Sequence, residues 1–242
     1  MNTAVFFTVN EVAGAALEDH TAVVIDVLRA SSTIVAALAC SAQAIFPVVS
    51  TEEAIKLATS LGRDFALLAG ERKGLKIDGF DLGNSPREFT LETVAGKQVV
   101  MTTTNGTRAL VAAQDARRLL VGSLVNLAAV VDAVADAERL AIICAGTDGR
   151  FAIEDALCAG LLIQRLEERL GVELELDDAG RTAHALATQF SADPYFLAES
   201  AAGRALGEIG LAEDVSWCAR VDAETIVPEV KDRVIRSGRG GA

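Results

Sequence analysis

Asp26 lies in the apolar run Ala22–Leu28, and Arg29, Ser31 and Ser32 follow directly. A carboxylate among Val, Ile and Leu is costly to desolvate unless a cation or hydrogen bonds satisfy it. Arg29 supplies a guanidinium suited to oxyanions. The two hydroxyls stand where the next helix would begin, and a helix N-terminus offers unpaired N–H groups and the positive end of a dipole. A carboxylate for a metal, a guanidinium for an oxyanion and a helix N-terminus would thus share one turn. The plain structural alternative is a capped helix after a strand, with Asp26 paired to Arg29.

Two later stretches repeat this design. MTTTNGTRAL, Met101–Leu110, offers Thr103, Thr104, Asn105, Gly106, Thr107 and Arg108. Asn-Gly is also an ordinary turn dipeptide, so a simple turn and cap is the alternative there. CAGTDGRFAIEDALCAG, Cys144–Gly160, offers Asp148, Gly149, Arg150, Glu154 and Asp155. Adjacent helical residues diverge by about 100°, so only one of Glu154 and Asp155 can face a given point. Acids in a first helical turn also favour the dipole whatever their function. Asp148 or Asp155 is expected nearest a metal. In each stretch an apolar strand ends in a polar turn containing Arg, and a helix follows: Val24–Val35, Val99–Leu110 and Ile142–Leu157. Turns at strand C-terminal ends are where open α/β sheets bind ligands.

Other chemistries lack their parts. None of the turns matches a Walker phosphate loop or a dinucleotide fingerprint. His20 and His184 are the only histidines, and neither has a partner at ligand spacing. The four cysteines, Cys40, Cys144, Cys158 and Cys218, form no CxxC pair, so no zinc or disulfide framework is indicated and a reduced cytoplasmic setting fits. What remains is carboxylates, arginines, hydroxyls and a hard cation. Magnesium suits oxygen ligands and brings phosphate substrates with it, which suggests phosphoryl transfer to water. The formal net charge of −12 speaks against nucleic-acid or anionic-membrane partners and makes local arginine clusters more telling for an anionic substrate. The N-terminal stretch carries Glu11 and no basic region, so it does not read as a signal peptide, and no apolar run reaches membrane-spanning length.

The elements that must position these turns alternate. Strands are expected at Val5–Val9, Thr21–Leu28, Ala44–Val49, Phe65–Ala69, Gln98–Thr103, Leu119–Gly122 and Leu140–Cys144, with Thr225–Pro228 as an edge strand. Helices are expected at Asn10–Leu17, Thr33–Cys40, Thr51–Leu61, Arg87–Val94, Arg108–Ala116, Asn126–Asp136, Ala152–Leu170, Asp177–Gln189 and Pro194–Gly203. The alternation predicts an α/β fold with crossover helices and a largely parallel or mixed central sheet. One domain is expected, with any boundary between two similar lobes near residues 90–98, and a frayed tail over Ser237–Ala242. Gly70–Pro86, GERKGLKIDGFDLGNSP, reads as a long ordered functional loop. A homodimer is compatible with such a hydrophobic chain.

Taken in order, VIDVLRASSTIVAAL, GERKGLKIDGFDLGNSP, TTTNGTRAL and CAGTDGRFAIEDALCAG resemble the motifs of the 2-phosphosulfolactate phosphatase family. The resemblance runs from about Thr21 to Gly160 and more weakly to Pro228. It implies a three-layer α/β/α fold and a magnesium-dependent acid phosphatase. The implied reaction converts 2-phospho-3-sulfolactate to 3-sulfolactate and phosphate, a step of coenzyme M biosynthesis; a related 2-hydroxycarboxylate phosphate, or binding without turnover, are the alternatives. On this resemblance Asp26 would ligate magnesium or act as nucleophile. Arg29, Ser31 and Ser32 would hold the phosphate, and Thr103, Thr104, Asn105 and Thr107 would add donors. Gly106, Arg108, Gly149 and Arg150 would join the substrate site. Asp148, with Asp155 or Glu154, would complete the metal site or give a proton to the leaving alkoxide. The Gly70–Pro86 loop, with Glu71, Arg72, Asp81 and Asn84, would close over the ligand.

Overall fold

The computed structural model describes residues 1–12 and 14–238. The chain runs β1 (Asn2–Phe6), α1 (Val9–Val12), β2 (Thr21–Ile25), α2 (Ala30–Ala39), β3 (Ala44–Pro47), α3 (Thr51–Leu61), β4 (Ala66–Arg72), β5 (Leu75–Lys76), α4 (Leu91–Val94), β6 (Gln98–Thr102), α5 (Gly106–Ala112) and β7 (Arg118–Gly122). It continues through α6 (Leu127–Val134), β8 (Arg139–Cys144), α7 (Ile153–Leu170), β9 (Glu175–Leu176), α8 (Asp178–Gln189), α9 (Pro194–Glu199), α10 (Ala201–Glu208), α11 (Ala212–Cys218), β10 (Pro228–Lys231) and β11 (Val234–Ser237).

The strands form one 11-stranded sheet in the order β5-β4-β6-β3-β11-β10-β7-β2-β8-β1-β9. β6 pairs in parallel with β3 and β4, and β2 pairs in parallel with β7 and β8. The antiparallel hairpin β10–β11 joins these two parallel sets, with β10 on β7 and β11 on β3. The strand expected at the sheet edge over 225–228 is therefore corrected: β10 starts at Pro228 and lies inside the sheet. Proline is tolerated there as the first strand residue, where no ladder N–H is missed.

β2 shows why the sheet is covered on both faces. Val23 and Ile25 enter one core with Leu120, Leu127 and Leu162, whereas Ala22 and Val24 enter another with Ile34, Val99 and Leu110. A strand buried on both sides reads as a continuous apolar run rather than an alternation. α6 to α11 supply side chains to the first core, and α1, α2, α4 and α5 to the second. A smaller core under α3 joins Ala54 and Ala58 to Leu68 and Val100. The result is a three-layer α/β/α fold.

Several elements differ locally from expectation. The first strand is Asn2–Phe6 rather than Val5–Val9, because it pairs with β8 from Asn2↔Arg139 to Phe6↔Ile143. The helix expected over Arg87–Val94 is split into a 3₁₀ turn at Pro86–Glu88 and α4, which Thr90 caps by accepting from Thr93 N–H. Pro194–Gly203 is likewise broken at Ser200, whose Oγ accepts from Gly203 N–H and caps a new helix. The Gly70–Pro86 stretch is less irregular than a loop. β4 runs on to Arg72 and turns into β5, and Leu82 N–H returns to the Leu68 carbonyl at 3.0 Å. Of the expected frayed tail, Ser237 closes β11, and residues 239–242 lie outside the described residues. Among the described residues no helix is long and apolar enough to cross a membrane, and all four cysteines are free.

Candidate active site

A cavity of ≈ 560 Å³ opens where the turns after β2, β6 and β8 come together. The β2 turn brings Asp26, Leu28 and Arg29, the β6 turn Thr103, Thr104 and Asn105, and the β8 turn Thr147 and Asp148. Glu71, Arg72, Lys73 and Gly74 from the β4–β5 hairpin, with Asn84, form another side. Ala202, Ala205, Leu206 and Ile209 of α10 and the residues after it close the cavity with an apolar wall.

Asp26 sits at the base of this arrangement. Its Oδ1 accepts from Ala30 N–H at 3.1 Å, and its own N–H donates to Ser31 Oγ at 2.9 Å. A Cβ on Gly106 would stand 2.7 Å from Asp26 Oδ2 and 2.4 Å from Ala30 Cβ, so only glycine lets α5 approach this carboxylate. Burial, with the charges of Glu71 and Glu154, pushes the Asp26 carboxyl up to about 7, against the pull of the Ala30 N–H and Arg29. The alternative reading of an Asp26–Arg29 pair is corrected. Arg29 Nη1 donates instead to Asp214 Oδ2 at 2.6 Å, and Nη2 to the Gly74 carbonyl at 2.6 Å. The Leu28–Arg29 peptide is cis.

The other predicted residues divide into those facing the cavity and those turned inward or outward. Thr104 and Asn84 face it, and their Oγ1 and Oδ1 atoms are buried with no partner. Asn105 Oδ1 accepts from Asp148 N–H at 3.1 Å and so ties the β6 turn to the β8 turn. Arg72 reaches the cavity while donating to Thr102 Oγ1 at 3.1 Å. Ser31 and Ser32 are buried, and their hydroxyls serve the backbone. Ser31 Oγ bonds Asp26 N–H, and Ser32 Oγ donates to the Val27 carbonyl at 2.8 Å and meets Ser123 Oγ at 2.7 Å. Thr107 and Thr103 cap each other: each hydroxyl accepts from the other's N–H, at 3.0 and 3.2 Å. Arg108, Gly149 and Arg150 are exposed outside the cavity wall. Asp81 accepts from Leu68 N–H at 2.7 Å and pairs with Arg63, away from the cavity.

Asp155 is the clearest inward case. Its Oδ1 accepts from Val27 N–H at 2.8 Å and its Oδ2 from Gly146 N–H at 3.1 Å, so it pins the ends of β2 and β8 together. Burial and the neighbouring Glu154 and Asp26 charges still raise its carboxyl well above the ordinary range. Glu154 is buried beside it with Oε2 unpartnered, and burial raises its carboxyl too. Among the described residues no three Asp, Glu, His or Cys side chains form a ready metal cage. The donors around Asp26 are nonetheless all oxygens. Magnesium commonly takes one or two carboxylates and leaves its other positions to water and phosphate. The unpartnered Asn84 oxygen and the Asp26 carboxyl, raised by burial and by the nearby Glu71 and Glu154, would suit such an ion, with the unpartnered Glu154 oxygen behind them.

Glu71, Lys73 and the α10 wall complete the cavity, and Asp214 stands behind Arg29. Glu71 is buried and accepts from Thr104 N–H at 2.7 Å and Gly74 N–H at 2.8 Å, locking the hairpin to the β6 turn. Its place in a glycine- and charge-rich stretch signals a role. Nothing in the local sequence marks α10 or Asp214.

Comparison with known proteins agrees with the motifs. The profile of the 2-phosphosulpholactate phosphatase family matches residues 6–233. A protein of Caldanaerobacter subterraneus subsp. tengcongensis named "Probable 2-phosphosulfolactate phosphatase" is 38% identical over 234 residues, 96% of this chain and 96% of its own. Proteins of the same name from Clostridium acetobutylicum and Clostridium tetani are 41% and 36% identical, covering 88% and 98% of this chain and 90% and 100% of theirs. With its motifs and nearly its whole length matched, the chain belongs to the 2-phosphosulfolactate phosphatase family, whose members are phosphoric monoester hydrolases.

Proposed function

We propose that this cavity hydrolyses the phosphate monoester of 2-phosphosulfolactate, with magnesium, as a cytoplasmic step of coenzyme M biosynthesis. The observation that carries the reading is the company around Asp26. A buried carboxyl raised to about 7 stands in a cavity with unpartnered Asn84 and Thr104 oxygens and the cations Arg29, Arg72 and Lys73. Acids and arginines in one cleft suit a substrate and a cation that neutralise each other. The ester carries phosphate, sulfonate and carboxylate, and Arg29 is already matched by Asp214, so protein cations alone leave much of that charge unbalanced.

Asp26 would hold the ion, with Glu154 behind it and Asp148 at the rim. When bound, magnesium supplies Lewis-acid polarisation of a phosphoryl oxygen and orients the reacting groups. The chain's own residues do the rest. Arg29 binds phosphoryl oxygens through the N–H groups that Asp214 and Gly74 leave over. Arg72 and Lys73 orient the acid groups of the ester from the hairpin side. Asp26 would be ionised while it holds the ion, and Asp148 at the rim would give the proton to the leaving alkoxide. The Thr103–Thr107 pair keeps the β6 turn rigid, and the α10 wall excludes bulk water from one side.

That apolar wall favours a second reading. Ala202, Ala205, Leu206 and Ile209 offer a sulfonate no donor, whereas the side chain of another 2-phospho-hydroxy acid would pack there. One experiment separates the readings: phosphate release from 2-phosphosulfolactate and from 2-phospho-hydroxy acids with alkyl side chains, each with and without magnesium. Magnesium-dependent release fastest from 2-phosphosulfolactate supports the first, and preference for an alkyl ester the second. Calorimetric binding of the esters without any phosphate release would refute hydrolysis.

A further inference from the structure

Arg29 is not held by its own turn. Its anchor lies 185 residues later in the chain, at Asp214 on α11, and the two side chains are 3% and 0% exposed. Asp214 is committed on both oxygens: Oδ2 accepts from Arg29 Nη1 at 2.6 Å and Oδ1 from Ser85 Oγ at 2.6 Å. Arg87 stands 4.0 Å from Oδ1 and pairs with the neighbouring Glu213. A carboxylate so deeply buried persists only when paired and hydrogen-bonded.

The geometry constrains the guanidinium. A guanidinium is a planar fork of five N–H donors. Asp214 takes a donor on one terminal nitrogen, and the Gly74 carbonyl takes one on the other. Two contacts at different nitrogens fix both the position and the plane of the fork. Arg29 lines the cavity, and among the described residues its remaining donors have no protein acceptor. Asp214 itself does not line the cavity. Orientation of this kind affects rate because a misplacement of about 1 Å at a binding group can cost 100-fold.

We propose that Asp214 is the positioning residue for Arg29, fixing its guanidinium so that the unused N–H groups meet the phosphoryl oxygens while Asp214 never touches the substrate. This rests on the reading of the cavity as a phosphate-ester site. It makes α11, distant along the chain from every motif, part of the phosphate-binding machinery. Ser85 serves the same purpose one contact further away, by holding the second carboxylate oxygen.

The test is a double-mutant cycle of Asp214→Asn and Arg29→Lys, with kcat and KM for 2-phosphosulfolactate measured on variants whose folding is checked by circular dichroism. Asp214→Asn is expected to lower kcat/KM by about 10- to 100-fold. Added to Arg29→Lys it should cost almost nothing more, because the partner it orients has already been replaced. A folded Asp214→Asn within about twofold of wild type, or effects that multiply in the double variant, would overturn the proposal; a purely structural role moves the melting temperature and not this coupling. Should Asp214→Asn not fold, Ser85→Ala carries the same cycle: a loss of kcat/KM absorbed by Arg29→Lys supports the assignment, and unchanged kinetics overturn it. A wild-type protein that releases no phosphate from this ester sinks the substrate assignment separately. The coupling is then read from the thermal shift given by inorganic phosphate. Its loss to an equal degree in Asp214→Asn and Arg29→Lys supports the positioning role. A wild-type shift in Asp214→Asn, or no shift in the wild type, overturns it.

Discussion

The turns after β2 and β8 are built from neighbouring parallel strands in register, Ile25 opposite Cys144, and both lead past acids into a helix: Asp26 precedes α2, and Glu154 and Asp155 stand in the first turn of α7. Asp26 and Asp155 are used in opposite ways. The β2 turn presents Asp26 and Arg29 to the cavity. The β8 turn brings Thr147 and Asp148 to the cavity rim, but the helix that follows it sends Asp155 inward to bind Val27 N–H and Gly146 N–H, and Gly149 and Arg150 stay in solvent. A carboxylate at a strand–helix turn is left free for a ligand or committed to the framework according to whether backbone donors claim its oxygens. Asp26 has one such donor on one oxygen, and Asp155 has one on each.

The contrast is broken most directly by removing each acid's charge. Asp26→Asn should lower kcat by about 1000-fold or more with the fold intact, the scale of losing a proton-handling or metal-binding group. Steady-state phosphate release and circular dichroism check it, and a variant retaining a tenth of wild-type activity would remove Asp26 from the chemistry. Asp155→Ala should act on stability instead. Two buried N–H groups lose their acceptor, so unfolding free energy should fall by about 2–4 kcal/mol in denaturant titrations. Loss of activity in fully folded Asp155→Ala, with no loss of stability, would merge the two turns into one role.

The next effect is one of pH. In the fold Asp26 keeps its proton up to about 7, whereas the unfolded value is 3.8. Between these values the folded chain binds the proton and the unfolded chain does not, so stability falls as the pH rises through that window. Glu154 and Asp155, raised by burial, act in the same direction. Metal-free protein should melt at a lower temperature at pH 7.5 than at pH 5. Asp26→Asn should lose part of that slope, and magnesium should stabilise the wild type more at the higher pH. Equal pH slopes in wild type and variant would show that Asp26 titrates normally.

How much of this was legible follows from where the signal lies. Asp26 and Arg29 stood out because an ionisable residue inside an apolar run is costly, and the cost is visible locally. The strands were legible for the same reason, β2 most of all. Ser31, Ser32 and Thr107 show the limit: a hydroxyl that caps backbone and one that faces a ligand occupy the same positions in sequence, and only the fold separates them. Asp214 and the α10 wall carry no local mark, since their partners lie far along the chain. The central hairpin β10–β11 was obscured because its turn residues, Asp232 and Arg233, adopt positive φ of 52° and 62° without the Asn-Gly pair that usually announces such a turn.

A smaller effect separates hydroxyls as the acids were separated. Ser32→Ala removes a buried bond to the Val27 carbonyl and one to Ser123. It should cost about 1–2 kcal/mol of stability and leave KM near its wild-type value. Thr104→Val should do the reverse, because Thr104 lines the cavity and its buried Oγ1 has no protein partner to lose. Its stability should hold while KM rises several-fold. An unchanged KM in Thr104→Val would mean that its hydroxyl does not meet the ester.

The smallest expected effect tests the outer side of the β8 turn. Arg150 contributes through its backbone, its N–H donating to the Thr147 carbonyl at 3.0 Å and its carbonyl accepting from Thr147 N–H at 2.9 Å. Both bonds survive truncation of the side chain. The guanidinium lies in solvent, where salt screens charges over about 8 Å at physiological ionic strength. Arg150→Ala and Arg108→Ala should therefore each change kcat/KM by less than about twofold, with any loss confined to low salt as a weakening of long-range attraction for an anionic ester. A tenfold loss at 0.15 M salt would require direct contact with the ester. The outer side of the β8 turn would then have to fold inward over the bound substrate, and its cation would join Asp148 in the same machinery as the β2 turn.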